Sequence, residues 1–423
     1  MLQPGMKDTT VKGCHYPVLL PLLPYTNSII PDSVACDVLN LYFTEPFSSL
    51  FQYASPYVLN RIFRKKSMIC SANPRKPSPA LAAMLWVSTQ TSDAQVLKSS
   101  PMAKEKILDG LYTVCLTLLV PLACTVTDTR LSNSNTKFGR TPQSGKSASG
   151  LLDDVLTFTL LTIVVFGGDF KHDSLKWCFK ALSTIEKMGL NREIDPTNLE
   201  TDTASHLVNG TQENALLLAL EEAKEERRRV WWLLYAVDRH KCLSYNAALR
   251  IPDARCQVFQ PLPERIWQGL DMDVSAATNN RCHGPPTRMT GVGFFEYFLP
   301  LMVILGDIID IHHRRCHPRC EHPVDEAAIA QMQNELDIFS MSLKDFEGAS
   351  ALDDLTAPDT GSQANDSSIR GHRRRYGTPG KAHSPWRRRE DVLEHHTSHL
   401  LSSAITVLKV STSLLEHEII SLK

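Results

Sequence analysis

The 423-residue chain is predicted to be all-α. Three observations carry this. Val230, Leu233, Leu234 and Val237 recur at i, i+3, i+4 and i+7, the stripe of a 3.6-residue helix; Trp231, Trp232 and Tyr235 widen it until the helix is apolar nearly all round. Windows of similar period recur along the chain, separated by stretches rich in Pro, Gly and polar residues. Almost no stretch shows the period-two alternation of a half-buried strand.

Met1–Leu23 reads as a leader whose order the sequence leaves open. No signal peptide is expected there: Val18–Leu23 is short, broken by Pro21 and lacks a small-residue cleavage site. A helix is expected over Asp32–Phe43, with Asp32 or Ser33 as cap and Val34, Val38, Leu41 and Tyr42 periodic. Tyr57–Lys66 and Pro79–Thr91 read as further helices. Lys104–Leu119 is amphipathic, with Ile107, Leu108, Leu111 and Val114 on one side. Residues 127–150, rich in Ser, Thr, Asn and Gly, read as a mobile insertion. Val155–Val165 is the most hydrophobic run, far short of the roughly 20 residues a membrane helix needs. It reads as a buried helix, with Asp153 and Asp154 in a charged first turn and Gly167-Gly168 as the stop.

Leu175–Leu190 is a helix closed by Gly189, and Asp195–Gly210 is polar. The charged run Glu221–Arg229 leads into the tryptophan helix, where Glu225 reaches Arg228 and Arg229 at i+3 and i+4. Pro252–Thr290 is irregular; Phe294–His313 and Glu326–Phe346 read as long helices. A helical body over residues 24–346 is therefore expected. An Arg-rich linker over 347–389 follows, with too little apolar surface to offset the entropy of ordering. Residues 390–423 read as a truncated helical tail, with Val392, Leu400, Leu401, Ile405 and Leu408 periodic.

Hydrophobic residues make up 43% of the chain, enough for a sizeable core. Basic and acidic residues number 45 and 46, so no global positive field exists to hold nucleic acid non-specifically. The eleven cysteines are scattered, without a C-x-x-C. A binuclear Zn₂Cys₆ module needs closely paired thiolates, so this chain contains none. Free thiols in a reducing compartment are expected.

Gly139–Ser147 (GRTPQSGKS) imitates a P-loop, but has one residue too many between its first Gly and Gly-Lys-Ser and no preceding apolar strand; it reads as a polar loop. His312, His313, Cys316, His317 and Cys320 offer helical metal-ligand spacing. Pro318 should end the helix there, and Arg314, Arg315 and Arg319 would repel a cation, so a helix end with histidines capping carbonyls or pairing with Asp307 or Asp310 is the expected role. Asp238, Arg239 and His240 lack an accompanying nucleophile in a strained turn and read as a buried ion pair locking the helix to a neighbour. Trp177, Trp231 and Trp232 read as core, with a sugar-stacking pocket the competing role. Arg373, Arg374, Arg375, Arg387, Arg388 and Arg389 read as a solvated linker, a nuclear-import-like cluster or a weak phosphate contact.

The pattern Arg228-Arg229-x-Trp231-Trp232-Leu233-Leu234-Tyr235-x-Val237-Asp238-Arg239-His240 resembles the middle regulatory region of fungal binuclear-zinc-cluster transcription factors. Within that family it is most similar to the xylanolytic and arabinolytic transcriptional activators. Leu50–Lys66, Ser78–Thr91, Leu152–Val155, Gly284-Pro285-Pro286 and Tyr297–Arg319 resemble further segments in the family's order, so the likeness runs with gaps from about Pro24 to about Phe346. The chain departs from the family in lacking the zinc cluster, in reading Asn246-Ala247-Ala248-Leu249 for Asn-Arg-Pro-Leu, and beyond Phe346, where the likeness fades. A fragment, a truncated paralogue or an imperfect gene model is expected.

The resemblance implies a nuclear, non-enzymatic regulator of genes for xylan, arabinan and pentose degradation, responding to a pentose or pentose-derived inducer. It implies no cofactor in this chain, with zinc only in the missing family cluster. Partners would be other transcription regulators or full-length relatives, and DNA only through a module absent here, with no membrane. The competing class is a stand-alone helical interaction protein or a truncated competitor of full-length relatives.

Overall fold

The computed structural model describes residues 16–43, 61–69, 78–91, 101–127, 148–166, 171–193, 210–278, 281–291, 293–315 and 326–356. The longer helices are α1 (Asp32–Tyr42), α2 (Pro79–Thr91), α3 (Pro101–Thr127), α4 (Ala148–Phe166), α5 (Lys171–Met188), α6 (Gly210–Tyr245), α7 (Leu299–Arg315) and α8 (Glu326–Thr356). Among the described residues the only β structure is two isolated bridges, Arg192–Gln257 and Phe259–His283. The all-α prediction holds.

Ala80–Val87 of α2 is buried without a break. The reason is in its residues: small alanines beside Leu81, Met84, Leu85 and Trp86 let neighbours approach on every side. Helix α2 packs on α1, α3 and α4; α4 also packs on α5 and α6, α6 on α7, and α7 on α8. The hydrophobic run falls inside α4. Its buried threonines Thr157, Thr159 and Thr162 donate to the carbonyls of Asp153, Val155 and Phe158, which satisfies their hydroxyls within the helix. Gly189 closes α5 at φ 59°, and the Leu190 N–H returns to the Ile185 carbonyl at 3.1 Å.

Several boundaries differ from expectation. Part of the expected leader belongs to the core: Tyr16, Val18, Leu19 and Leu22 are buried, and the Tyr16 hydroxyl donates to Asn40. The helix expected at Tyr57–Lys66 is absent from its described part. Arg61–Arg64 is non-helical, and a short helix occupies Lys65–Ile69. The hydrogen bond that a helix would make between the Arg61 carbonyl and the Lys65 N–H is replaced at both ends. The carbonyl accepts from Arg229 and Trp267, and the N–H donates to Gln268. Asp153 and Asp154 lie inside α4, not in its first turn, and Asp154 is buried. Helix α6 begins at Gly210, more than two turns before the charged run. Helix α8 continues to Thr356, into the segment expected as linker. The polar loop 139–147 and the tail 390–423 lie outside the described residues, as does most of the expected insertion.

Among the described residues no helix is long and apolar enough to cross a membrane.

Candidate functional site

Helix α6 is the hub. Residues 230 to 239 are all buried, as the all-round apolar pattern requires. Of the charged run before them, Glu221, Glu225, Glu226, Arg228 and Arg229 are buried as well, which solvated i,i+4 pairing does not require. Glu225 and Arg229 have 0% and 1% side-chain exposure, and the Arg229 Nε–Glu225 Oε1 distance is 3.2 Å. Glu225 also meets Arg228 at 3.4 Å and Arg281 at 3.1 Å, and accepts the Leu262 N–H. Arg229 extends to Glu264 and donates to the carbonyls of Arg61 and Leu262. Its guanidinium lies over the rings of Trp267 and Phe295.

Arg228 grips Glu193 through two of its nitrogens. Burial would raise the Glu193 pKa, but the Arg228 hydrogen bonds and charge hold this carboxyl below its usual range. Glu296 is raised instead by burial, although it accepts the N–H groups of Glu264 and Gly293. These bonds tie α6 to the otherwise irregular segment 257–296 and to Arg61. A buried charge is tolerated only where every partner is supplied.

A second cluster lies three turns further along. Arg239 pairs with Asp253 and stacks on Tyr235, whose hydroxyl also donates to Asp253. Gly306 of α7 makes room for it: a Cβ there would stand 3.0 Å from Arg239 Nε. Asp238 accepts the N–H groups of Arg250 and Ile251 at 3.0 Å each. Burial pushes the His240 pKa down. The expected Asp-Arg-His ion pair is thus divided. Arg239 carries the salt bridge, to a loop carboxylate, while Asp238 holds the loop backbone. Asp307 faces this cluster with its carboxyl pushed up to about 7 by burial and by the charges of Glu335, Asp253 and Asp310, against Arg239.

Trp232 is fully buried and its Nε1 donates to the Phe259 carbonyl at 2.8 Å. Trp231 is 3% exposed; its indole N–H faces the Cys256 thiol and meets no oxygen acceptor among the described residues. Trp177 is buried against Phe158. His312 and His313 lie edge to face at the end of α7; Cys316, His317 and Cys320 fall outside the described residues. Among the described residues no three His, Cys, Asp or Glu side chains group as a metal site. Arg373, Arg374, Arg375, Arg387, Arg388 and Arg389 also lie outside them.

Glu193, Asp253, Glu264, Arg281 and Glu296 complete these networks and were not singled out from the sequence. Their partners are remote: 56 residues separate Glu225 from Arg281, and 168 separate Arg229 from Arg61. No local spacing marks such pairs. The available signal is the density of charge in 221–229 directly beside an all-apolar stretch, which leaves those charges half in the core.

No family model matches the chain, and no solved structure matches it. Curated proteins do. The xylanolytic transcriptional activator xlnR of Aspergillus clavatus is 37% identical over 373 residues, covering 79% of this chain and 38% of that protein. That of Emericella nidulans is 38% identical over 368 residues, with 79% and 40% covered. That of Aspergillus niger is 36% identical over 373 residues, with 79% and 39% covered. The chain spans about two fifths of the length of the curated relatives it matches. Over 79% of its length the chain is thus similar to the same xylanolytic transcriptional activator of several fungi.

Proposed function

We propose that this chain acts as the regulatory, middle-homology portion of a transcriptional activator of xylan- and arabinan-degrading genes. It works in the nucleus, by helical protein interaction and response to a pentose-derived signal, and not by catalysis. The observation that carries the reading is the likeness to activators over 79% of the chain. The buried charges of α6 fit it, since they join segments remote in sequence and are consumed by one another, without a nucleophile or general base held open for substrate. A helical body held by such a clamp can exist in two packings, and a ligand or partner that prefers one shifts the population. Any zinc would belong to a family DNA-binding cluster outside this chain. Other regulators or full-length relatives would be the partners.

The test is a chimera in which this chain replaces the matching span of a xylanolytic activator, in a host lacking its own copy. A xylan-responsive reporter should be induced. A chimera that is folded, nuclear and silent would overturn the reading. The isolated chain should not bind promoter DNA selectively, since its sequence lacks the cysteine pattern of a Zn₂Cys₆ module; a nanomolar, sequence-selective gel shift would contradict this.

A further inference from the structure

A cleft of about 220 Å³ opens between α5, the turn after it, α6 and the 250–255 segment. Its floor is apolar: Trp231, Ile185 and Ile251 are all buried. Its rim is charged and open to solvent, with Arg250 and Arg255 on one side and Glu186 on another. Most arginines near the hub are neutralised: Arg61, Arg64, Arg228, Arg229, Arg239 and Arg281 each meet a carboxylate. Arg250 and Arg255 do not, among the described residues. They are nonetheless held in place. Arg250 lies 4.1 Å over the Phe179 ring, and Asp238 fixes its backbone N–H; the Arg255 carbonyl accepts from Asn191.

We propose that this cleft binds a small hydroxylated carboxylate of the sugar-acid class. Ordinary ligand pockets hold roughly 300–1,000 Å³, so a cleft of this size suits a single ring or a chain of five or six carbons. Two guanidiniums without a salt-bridged carboxylate among the described residues call for an anionic acceptor, and planar forks favour a carboxylate. Glu186 accepts only, so the same ligand must also carry hydroxyl donors. Trp231 contributes to the apolar floor on which the ligand's C–H surface would rest. The net rim charge of one plus favours a monoanion over a neutral sugar. This deepens the regulatory reading by placing an effector between α5 and α6, and rests on that reading for its biological role.

Calorimetric titration of the full chain with sodium gluconate tests it, with glucose as the neutral counterpart and sodium chloride matched for ionic strength. Saturable gluconate binding is expected, at least tenfold tighter than glucose. Arg250→Ala/Arg255→Ala should weaken it at least tenfold while the ligand-free melting temperature falls by no more than a few degrees, since both side chains are exposed and only the Arg250–Phe179 contact is lost. Arg255→Ala alone, which keeps the Arg250–Phe179 stack, should weaken it in the same direction. Absence of gluconate binding, equal binding of glucose, or undiminished binding by the double variant would each overturn the inference. The chimera reporter separates this from the regulatory reading. A chain that ignores gluconate yet supports induction sinks the cleft assignment alone; one that binds gluconate yet stays silent in the reporter sinks the regulatory reading alone.

Discussion

Glu225 and Arg229 stand one helical turn apart inside the protein, 3.2 Å between Oε1 and Nε, and neither exposes more than 1% of its side chain. On a surface helix such a pair contributes about 0.3–0.5 kcal/mol. Here Glu225 is shared among Arg228, Arg229 and Arg281, so its charge offsets three guanidiniums at once. Glu225→Gln keeps the shape and removes that charge. A loss of about 3–5 kcal/mol is expected, the cost of leaving buried charge uncompensated. Chemical denaturation of the parent and the variant reads it directly.

The two adjacent tryptophans should separate by experiment. Trp232 is fully enclosed and donates to the Phe259 carbonyl, so Trp232→Ala should cost about 3–5 kcal/mol and lower the melting temperature and solubility. Trp231 borders the cleft, and its N–H has no oxygen acceptor among the described residues. Trp231→Phe should therefore cost less than Trp232→Phe, which leaves the Phe259 carbonyl without its indole donor. Thermal melts of the three variants check the order.

Asp307 makes stability depend on pH. Its folded value of about 7 lies above the unfolded value of about 4, so the folded chain binds this proton more tightly across that window. Stability from this group is greatest below about pH 4, falls as pH rises towards 7, and is level beyond. The groups that face it are Glu335 from α8, Asp253 from the loop, Asp310 on its own helix, and Arg239 in opposition. Asp307→Asn should raise the melting temperature at pH 8, by about 2–4 °C for each kcal/mol gained. The advantage should shrink towards pH 5. Melting curves across that range test the sign.

The helices were legible where one face or the whole circumference is apolar, as in α2, α4 and residues 230–239 of α6. The Glu225 pairs with Arg228 and Arg229 were legible too, because their spacing is local. What escaped was non-local. Nothing in Tyr57–Lys66 shows that Arg229 and Trp267 will take the Arg61 carbonyl and Gln268 the Lys65 N–H, yet that exchange decides against a helix there. Asp238 and Arg239 drew notice as neighbours in sequence; folding sends one to a loop backbone and the other to Asp253. The early start of α6 was hidden because Gly210–Leu220 lacks a one-sided apolar stripe.

Buried ion pairing locks α6 to the irregular segment ending near Glu296. A double-mutant cycle on Glu225 and Arg281, 56 residues apart and 3.1 Å in contact, tests it most directly. Unfolding free energies would be measured for the parent, Glu225→Gln, Arg281→Met and the double variant. A coupling of about 1–3 kcal/mol is predicted, within the range for residues in one ion-pair network. Additivity within about 0.5 kcal/mol would mean that the two residues act independently, and would contradict the lock.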